Sequence, residues 1–422
     1  MLMTILNQYI VLLKIMKKIY NLIILFGDLY LKISSLLSNK NKRIDIGRKK
    51  SYEYLDEKIT KEEKIIMFHV SSAGEFEQAK PIISRIKEKK EFKILVTYFS
   101  SSAENFVSKF ESVDYHMYLP SDTENNMRKI LNKIKPRILI LIKYEFWHNL
   151  IFLASRKSIP IISVSSTFRK NQIFFKFYGF FFKNILRNIS LFLVQDKNSK
   201  LLLNSIGINN VKIVGDTRYD RVYKLFKESK DLPLIEGFIN NKPSILIGSS
   251  WMSDIKILSK EISRDLTESK YIIAPHNINE KEIKFIENKF LNDTIRYSDL
   301  PQKTVKKRIL IIDNYGMLSS LYKYADLAFI GGGFRGALHN TLEAVVWDIP
   351  VIYGFNRNNI KFKEIHHIEN SKIGFPIKSG NEFKLLSNRI IKYKDLGKGG
   401  NKLVKEKSGA TDKIIYYINE LL

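Results

Sequence analysis

The 422-residue chain has no cysteine, which excludes disulfides and thiolate metal sites and leaves nothing in it dependent on an oxidising compartment. Histidine is sparse, seven residues scattered without an HxxxH pair, so no zinc motif is present and no metal or other cofactor is expected. Acidic residues fall short of basic ones, 43 against 70, for a formal charge of +27. Such a balance points to nucleic acid, anionic lipid or an anionic substrate, or, in a chain this rich in Lys, Ile and Asn, to compositional drift on a solvated surface. Long uncharged runs are also missing. Lys14, Lys17, Lys18, Asp28 and Lys32 interrupt residues 1–38, so no stretch reaches the ~20 apolar residues of a spanning helix. No small-residue cleavage site follows, which argues against a removed signal peptide. Internal repeats and low-complexity segments are absent.

What is present is enough apolar residue, 45%, to build two domains with separate cores. Residues 1–38 suit an amphipathic, Lys-bearing helix lying in a membrane interface, or a helix packed on the protein's own core. Asn39 to Lys50 is expected to form a polar, basic hinge over anionic headgroups. Beyond it, short apolar runs alternate with helical spacing, the pattern of a parallel α/β sheet.

The most informative stretch is Tyr324–Gly354, YADLAFIGGGFRGALHNTLEAVVWDIPVIYG, which reads as strand, glycine loop, helix and strand. Gly331, Gly332 and Gly333 let the backbone approach a ligand, although they do not spell GxGxxG. A helix is expected from His339 or Asn340 through Trp347, with Glu343 in its first turn. Its start would favour a phosphate, and its carboxylate would suit ribose hydroxyls. In the first half, Ile65–Val70 reads as a buried strand, SSAGE as a turn and Phe76–Lys89 as a helix, so Glu75 falls at a strand's carboxyl end. Ile138–Ile142 ends at Lys143-Tyr144-Glu145 and places a second acid at the same kind of rim, where ligands bind in open parallel sheets. Either carboxylate has the chemistry of a general base; a capping role is the alternative for Glu75. The aromatic run Phe168–Leu193, with interleaved Arg and Lys, suits bases, acyl chains or simply core. The polar stretch Lys227–Lys242 reads as the interdomain linker. Further turns at strand ends are Gly248-Ser249-Ser250-Trp251, Pro275-His276 and Asp313–Leu318.

Taken in order, HVSSAGEFEQAKPII, IKYEFWHNLI, GDTRYD, GSSW, APH, DNYGMLSSLY and GGGFRGALHNTLEA resemble the 3-deoxy-D-manno-octulosonic acid (Kdo) transferase family of lipopolysaccharide synthesis, over roughly Ile65 to Gly354. The resemblance implies a GT-B fold, two Rossmann-like domains facing across a cleft, with an N-terminal membrane-associated helix over residues 1–40. An acceptor-binding domain would span 41–229 and a CMP-sugar-binding domain 230–422. It implies an inverting, metal-independent transfer of Kdo from CMP-Kdo to the lipid A precursor at the cytoplasmic face of the inner membrane, with no nucleic acid partner. By motif position, Glu75 would be the general base, and Glu145 and Arg218 would stabilise the transition state. Pro275, His276, Gly316, Met317, Leu318, Asn340, Thr341, Leu342 and Glu343 would bind CMP. The chain departs from the family pattern at Arg218, where many members carry Lys, at Met317, where many carry Glu, and at Leu338, where a glycine is usual. Rival readings are another GT-B nucleotide-sugar enzyme, such as an epimerase or a different lipid-directed transferase, and a basic non-catalytic protein bound to membrane or nucleic acid.

Overall fold

The computed structural model describes residues 2–59, 63–302, 306–394 and 396–422. The chain divides into two compact units, one of residues 1–220 with 408–422 and one of residues 221–407. In the first unit, β1 (Ile65–Val70), β2 (Lys93–Tyr98), β3 (Tyr115–Tyr118), β4 (Ile138–Ile142), β5 (Ile161–Ser166), β6 (Leu191–Val194) and β7 (Val211–Ile213) form one parallel sheet in the order β3-β2-β1-β4-β5-β6-β7. β1 and β4 are buried along their whole length, as strands covered on both faces must be, which is why they read as unbroken apolar runs. Chain order runs outward in one direction from β1 and in the other from β4. The crevice at their carboxyl ends is therefore a topological switch point, the position where parallel sheets bind ligands.

Three helices matter for the site. α1 (Leu2–Ser35) packs Leu13, Met16 and Tyr20 against the core of the first unit, while Val11, Ile15, Leu22, Phe26, Leu29 and Ile33 form an exposed apolar stripe. Their spacing places all six on one helical face. Among the described residues, no helix is long and apolar enough to cross a membrane. α2 (Asn39–Lys58) replaces the expected hinge. Ser38 accepts the Asn41 N–H as its N-cap, and Ile44, Ser51 and Leu55 recur at helical spacing and are buried, so a sparse apolar face suffices to fold a polar sequence. α3 (Ala73–Lys87) begins two residues before Glu75, earlier than its apolar period suggests.

The aromatic run is mostly core: Phe168, Phe174 and Phe181 are buried, whereas Phe177 is 95% exposed. The chain's last helix, Ala410–Asn419, returns to the first unit and adds Ile414 and Ile418 to its core. Its start is held by Asp220, which accepts the N–H groups of Gly409 and Thr411.

The second unit repeats the architecture with β8 (Ser244–Ser250), β9 (Lys270–Pro275), β10 (Thr294–Arg296), β11 (Ile309–Ile311), β12 (Leu327–Ile330), β13 (Val351–Gly354) and β14 (Gly374–Ile377), all parallel, in the order β10-β11-β9-β8-β12-β13-β14. Its switch point lies between β8 and β12. The stretch expected to be a linker belongs to this unit and includes the helix Pro233–Ile239, with Ile235, Phe238 and Ile239 buried. After the glycine loop the expected helix is short, Leu342–Val345, and Asp348 in a left-handed conformation (φ 58°) ends the turn that follows. A phosphate site based on that helix's dipole does not follow, because one turn aligns too few peptide dipoles.

Candidate active site

At the switch point of the first unit the two expected acids come together. Glu75 is nine-tenths buried and accepts the backbone N–H and the hydroxyl of Ser71, the latter at 2.7 Å, so the capping-type contact is present. Burial, and then the neighbouring Glu145 carboxylate, raise its pKa above the usual carboxylate range; Ser71 and Lys143 only partly oppose this. Glu145 moves the other way. Its burial is outweighed by His69, by the Trp147 indole N–H, which donates to Oε2 at 3.0 Å, and by Ser71, so it is held below the usual range. Two carboxylates whose protonation is driven apart by their surroundings have the chemistry that separate acid and base work needs.

His69, inside β1 and fully buried, was not marked by the sequence reading because it occupies a core position of a strand. Its Nδ1 lies 3.0 Å from the Thr97 hydroxyl and its Nε2 3.5 Å from Glu145 Oε2. Lys143 follows the end of β4, where the sequence pattern gives it no site role. It has φ of 60°, unfavourable for a side chain with a Cβ, and its backbone is fixed by Val164 and Ser166. That geometry places a cation which acts on both Glu75 and Asp216. Arg218 lies beside them, its Nη2 2.6 Å from Asp216 Oδ2. Burial opposes ionisation of Asp216, yet Arg218 and Lys143 hold its pKa below the ordinary value.

The second unit gathers its predicted residues at its own switch point. A Cβ at Gly331 would collide with the backbone of Ser249 and Ser250, and one at Gly248 with the Tyr322 hydroxyl, so these glycines permit close loop packing. Asp254 ties the two loops together, its Oδ2 accepting the N–H groups of Trp251 and Gly332 at 2.9 Å each. Trp251 stacks on His276 at 4.3 Å between centroids, and His276 on His339 at 4.5 Å. The Trp251 indole donates to His339 Nε2 at 2.9 Å; burial, and secondarily His276, push His339 down to about 4, which keeps it a neutral acceptor. Sequence reading had placed Trp251 in a turn and His339 at a cap, without the stack.

Nearby, Glu343 Oε1 accepts from Asn340 Nδ2 at 3.1 Å and from Arg221 Nη1 at 3.0 Å. Thr341 is buried, and its hydroxyl has no hydrogen-bond partner among the described residues; Leu342 is fully buried. Gly316 (φ 97°) turns the chain into Met317, the N-cap of the short helix Leu318–Leu321, and Pro275 ends β9 beside His276. Among the described residues no three His, Cys, Asp or Glu side chains are placed to hold a metal ion.

Two parallel Rossmann-like sheets, each with polar residues gathered at its switch point, define a GT-B fold. Solved structures share it: the UDP-GlcNAc 2-epimerase from Neisseria meningitidis bound to UDP-GlcNAc, with a TM-score of 0.58 at 15% identity over 85% of this chain and 100% of that one, and Acinetobacter baumannii MurG, with 0.54 at 11% over 85% and 99%. At such identities the likeness concerns the fold alone. Residues 45–221 match the family described as 3-deoxy-D-manno-octulosonic-acid transferase (kdotransferase). The Aquifex aeolicus 3-deoxy-D-manno-octulosonic acid transferase is 26% identical over 77% of this chain and 86% of its own length, and the Haemophilus influenzae one 23% over 82% and 83%. A bifunctional glycosyltransferase/methyltransferase of Fusobacterium nucleatum is 27% identical over 80% of this chain, which spans only 54% of that relative. Residues 45–221 thus match the Kdo transferase family of glycosyltransferases, and relatives of that name extend the similarity over most of the chain.

Proposed function

We propose that the protein transfers Kdo from CMP-Kdo to a hydroxyl of the lipid A precursor. The observation that carries this reading is the buried pair Glu75 and Glu145, with protonation tendencies driven in opposite directions at the switch point of the first unit. In the proposed step the acceptor hydroxyl oxygen attacks the anomeric carbon of Kdo, the bond from that carbon to the CMP phosphate oxygen breaks, and the hydroxyl proton passes to Glu75. Phosphate is a good leaving group, so the chain's task is to supply a base and to balance the charge on the departing CMP. Glu145, kept ionised, stabilises positive charge developing on the sugar, and Arg218 balances CMP. Incubating the protein with CMP-Kdo and lipid A precursor and weighing the products tests this directly: unchanged acceptor mass overturns it.

In the second unit we assign CMP to the residues around Pro275-His276, Gly316–Leu318 and Asn340–Glu343. Glu343→Ala is expected to weaken CMP binding by about 1 to 3 kcal/mol, the worth of charge-assisted bonds to ribose hydroxyls. Calorimetry that finds full affinity in a folded variant removes Glu343 from the site.

The same reading puts the protein on the cytoplasmic face of the inner membrane through the outer stripe of α1, flanked by Lys14 and Lys18. Replacing Leu22, Phe26, Leu29 and Ile33 together with Ser is expected to abolish co-sedimentation with anionic vesicles while the thermal midpoint stays unchanged, since these side chains are exposed. Retained vesicle binding would shift the attachment to the basic surface.

A further inference from the structure

A cavity of about 410 Å³ lies at the carboxyl ends of the strands in the first unit, within the roughly 300–1,000 Å³ range of ligand pockets. α1 walls it with Ile24 and Gly27, α2 with Ile44 and Arg48, and Phe99 and Trp147 stand on the sheet side. The two rings stack at 5.7 Å, and Arg48 lies over Phe99 at 4.7 Å. The Trp147 indole is the group that donates to Glu145, so one wall of the cavity also supports the carboxylate pair.

The chemistry of the lining selects the occupant. Its charged side chains are Asp28, Arg48 and Asp122, and each is already engaged: Arg48 Nη1 donates to Asp28 at 3.2 Å, and Asp122 accepts from the Tyr20 hydroxyl at 2.7 Å. An ionised occupant would give up its hydration and meet no free countercharge, whereas hydrocarbon gives up nothing. Open space lies beside Gly27. A Cβ built there meets nothing within 4 Å, although the interior of a helix disfavours glycine. The opposite face of α1 carries the exposed apolar stripe, so the cavity lies behind the element that would rest on a lipid surface.

We propose that this cavity takes one acyl chain of the acceptor lipid. The inference rests on the reading of the protein as a lipid-directed Kdo transferase. The chain end is then anchored while the headgroup hydroxyl is presented at the rim.

Gly27→Phe fills the cavity and leaves the outer stripe untouched; Gly27→Leu is the smaller filler if the first variant does not fold. Each is compared with the native protein on two acceptors, the acylated lipid A precursor and its fully deacylated, water-soluble form. The expected result is a KM for the acylated acceptor raised by about tenfold or more, with kcat/KM for the deacylated one within about twofold of native. Equal losses on both acceptors, or none on the acylated one, overturn the proposal. Binding of cis-parinaric acid methyl ester, a neutral probe that fluoresces in apolar surroundings, gives a readout independent of turnover: saturable in the native protein and lost in the filled variants. Saturable binding that survives filling, or none in the native protein, also overturns it. A native protein that binds the probe saturably yet transfers Kdo to neither acceptor sinks the transferase reading and leaves the cavity's affinity for hydrocarbon standing.

Discussion

Glu75→Gln is expected to leave CMP affinity unchanged and to lower kcat by about 10² to 10⁴, the usual contribution of general-base catalysis. The amide keeps the size of the side chain and an oxygen for the Ser71 hydroxyl, but it cannot take the acceptor's proton. A purely capping role predicts something else: a stability loss of about 1 kcal/mol or less, with near-normal turnover in the folded fraction. Stopped-time assays alongside calorimetry with CMP separate the two, and an active Glu75→Gln enzyme ends the assignment. The pH profile provides an independent check. A base works only when deprotonated, so kcat/KM should rise with pH through the pKa of Glu75, which burial and Glu145 place above the ordinary carboxylate value. Glu145→Gln removes the like charge and should move that acid limb to lower pH. If Glu145 were the base instead, its variant would show the larger kcat defect and the limb would lie below the ordinary value, where its own pKa is held.

Asp122→Ala is expected to cost about 2 to 4 kcal/mol of stability, because three donors lose their acceptor in a place water does not reach. Asp122 is 2% exposed; it accepts the Tyr20 hydroxyl at 2.7 Å and the backbone N–H groups of Asn149 and Leu150 at 2.8 Å each. It therefore caps the helix His148–Arg156 from a distant loop and pins α1 to the first unit at once. Urea unfolding at pH 7 measures the loss, and Tyr20→Phe, which removes one of the three donors without a cavity, should cost about a third as much or less. A loss under 1 kcal/mol for Asp122→Ala would mean that water replaces the carboxylate.

Much of the candidate site was legible because its residues follow strands that announce themselves. The runs IIMFHV and ILILI are apolar throughout, so their carboxyl ends, and with them Glu75 and Glu145, fall where the apolar pattern stops. The hinge expected at Asn39–Lys50 failed because three buried positions across twenty residues are too few to stand out against so many lysines. The helix after the glycine loop was overextended because apolar residues continue past Val345 while the left-handed Asp348 and the following proline set the turn. Lys143 was passed over because its left-handed backbone is imposed by contacts with β5, which no local pattern records.

The sequence alone determined the alternation of strand and helix, the two-unit parallel architecture and the kind of residue at each strand end, since these follow from periodicity and turn chemistry within a few neighbouring positions. Only the tertiary structure decided that β1 lies between β2 and β4, and β8 between β9 and β12, which turns two strand ends in each unit into one crevice. It also brought His69 from within a strand against Glu145, and returned the last helix to the first unit. The reason is one of range. Local burial repeats along the chain and can be read from it, whereas protonation, stacking and cavity shape depend on distances between residues far apart in sequence, which exist only once the strands have taken their order.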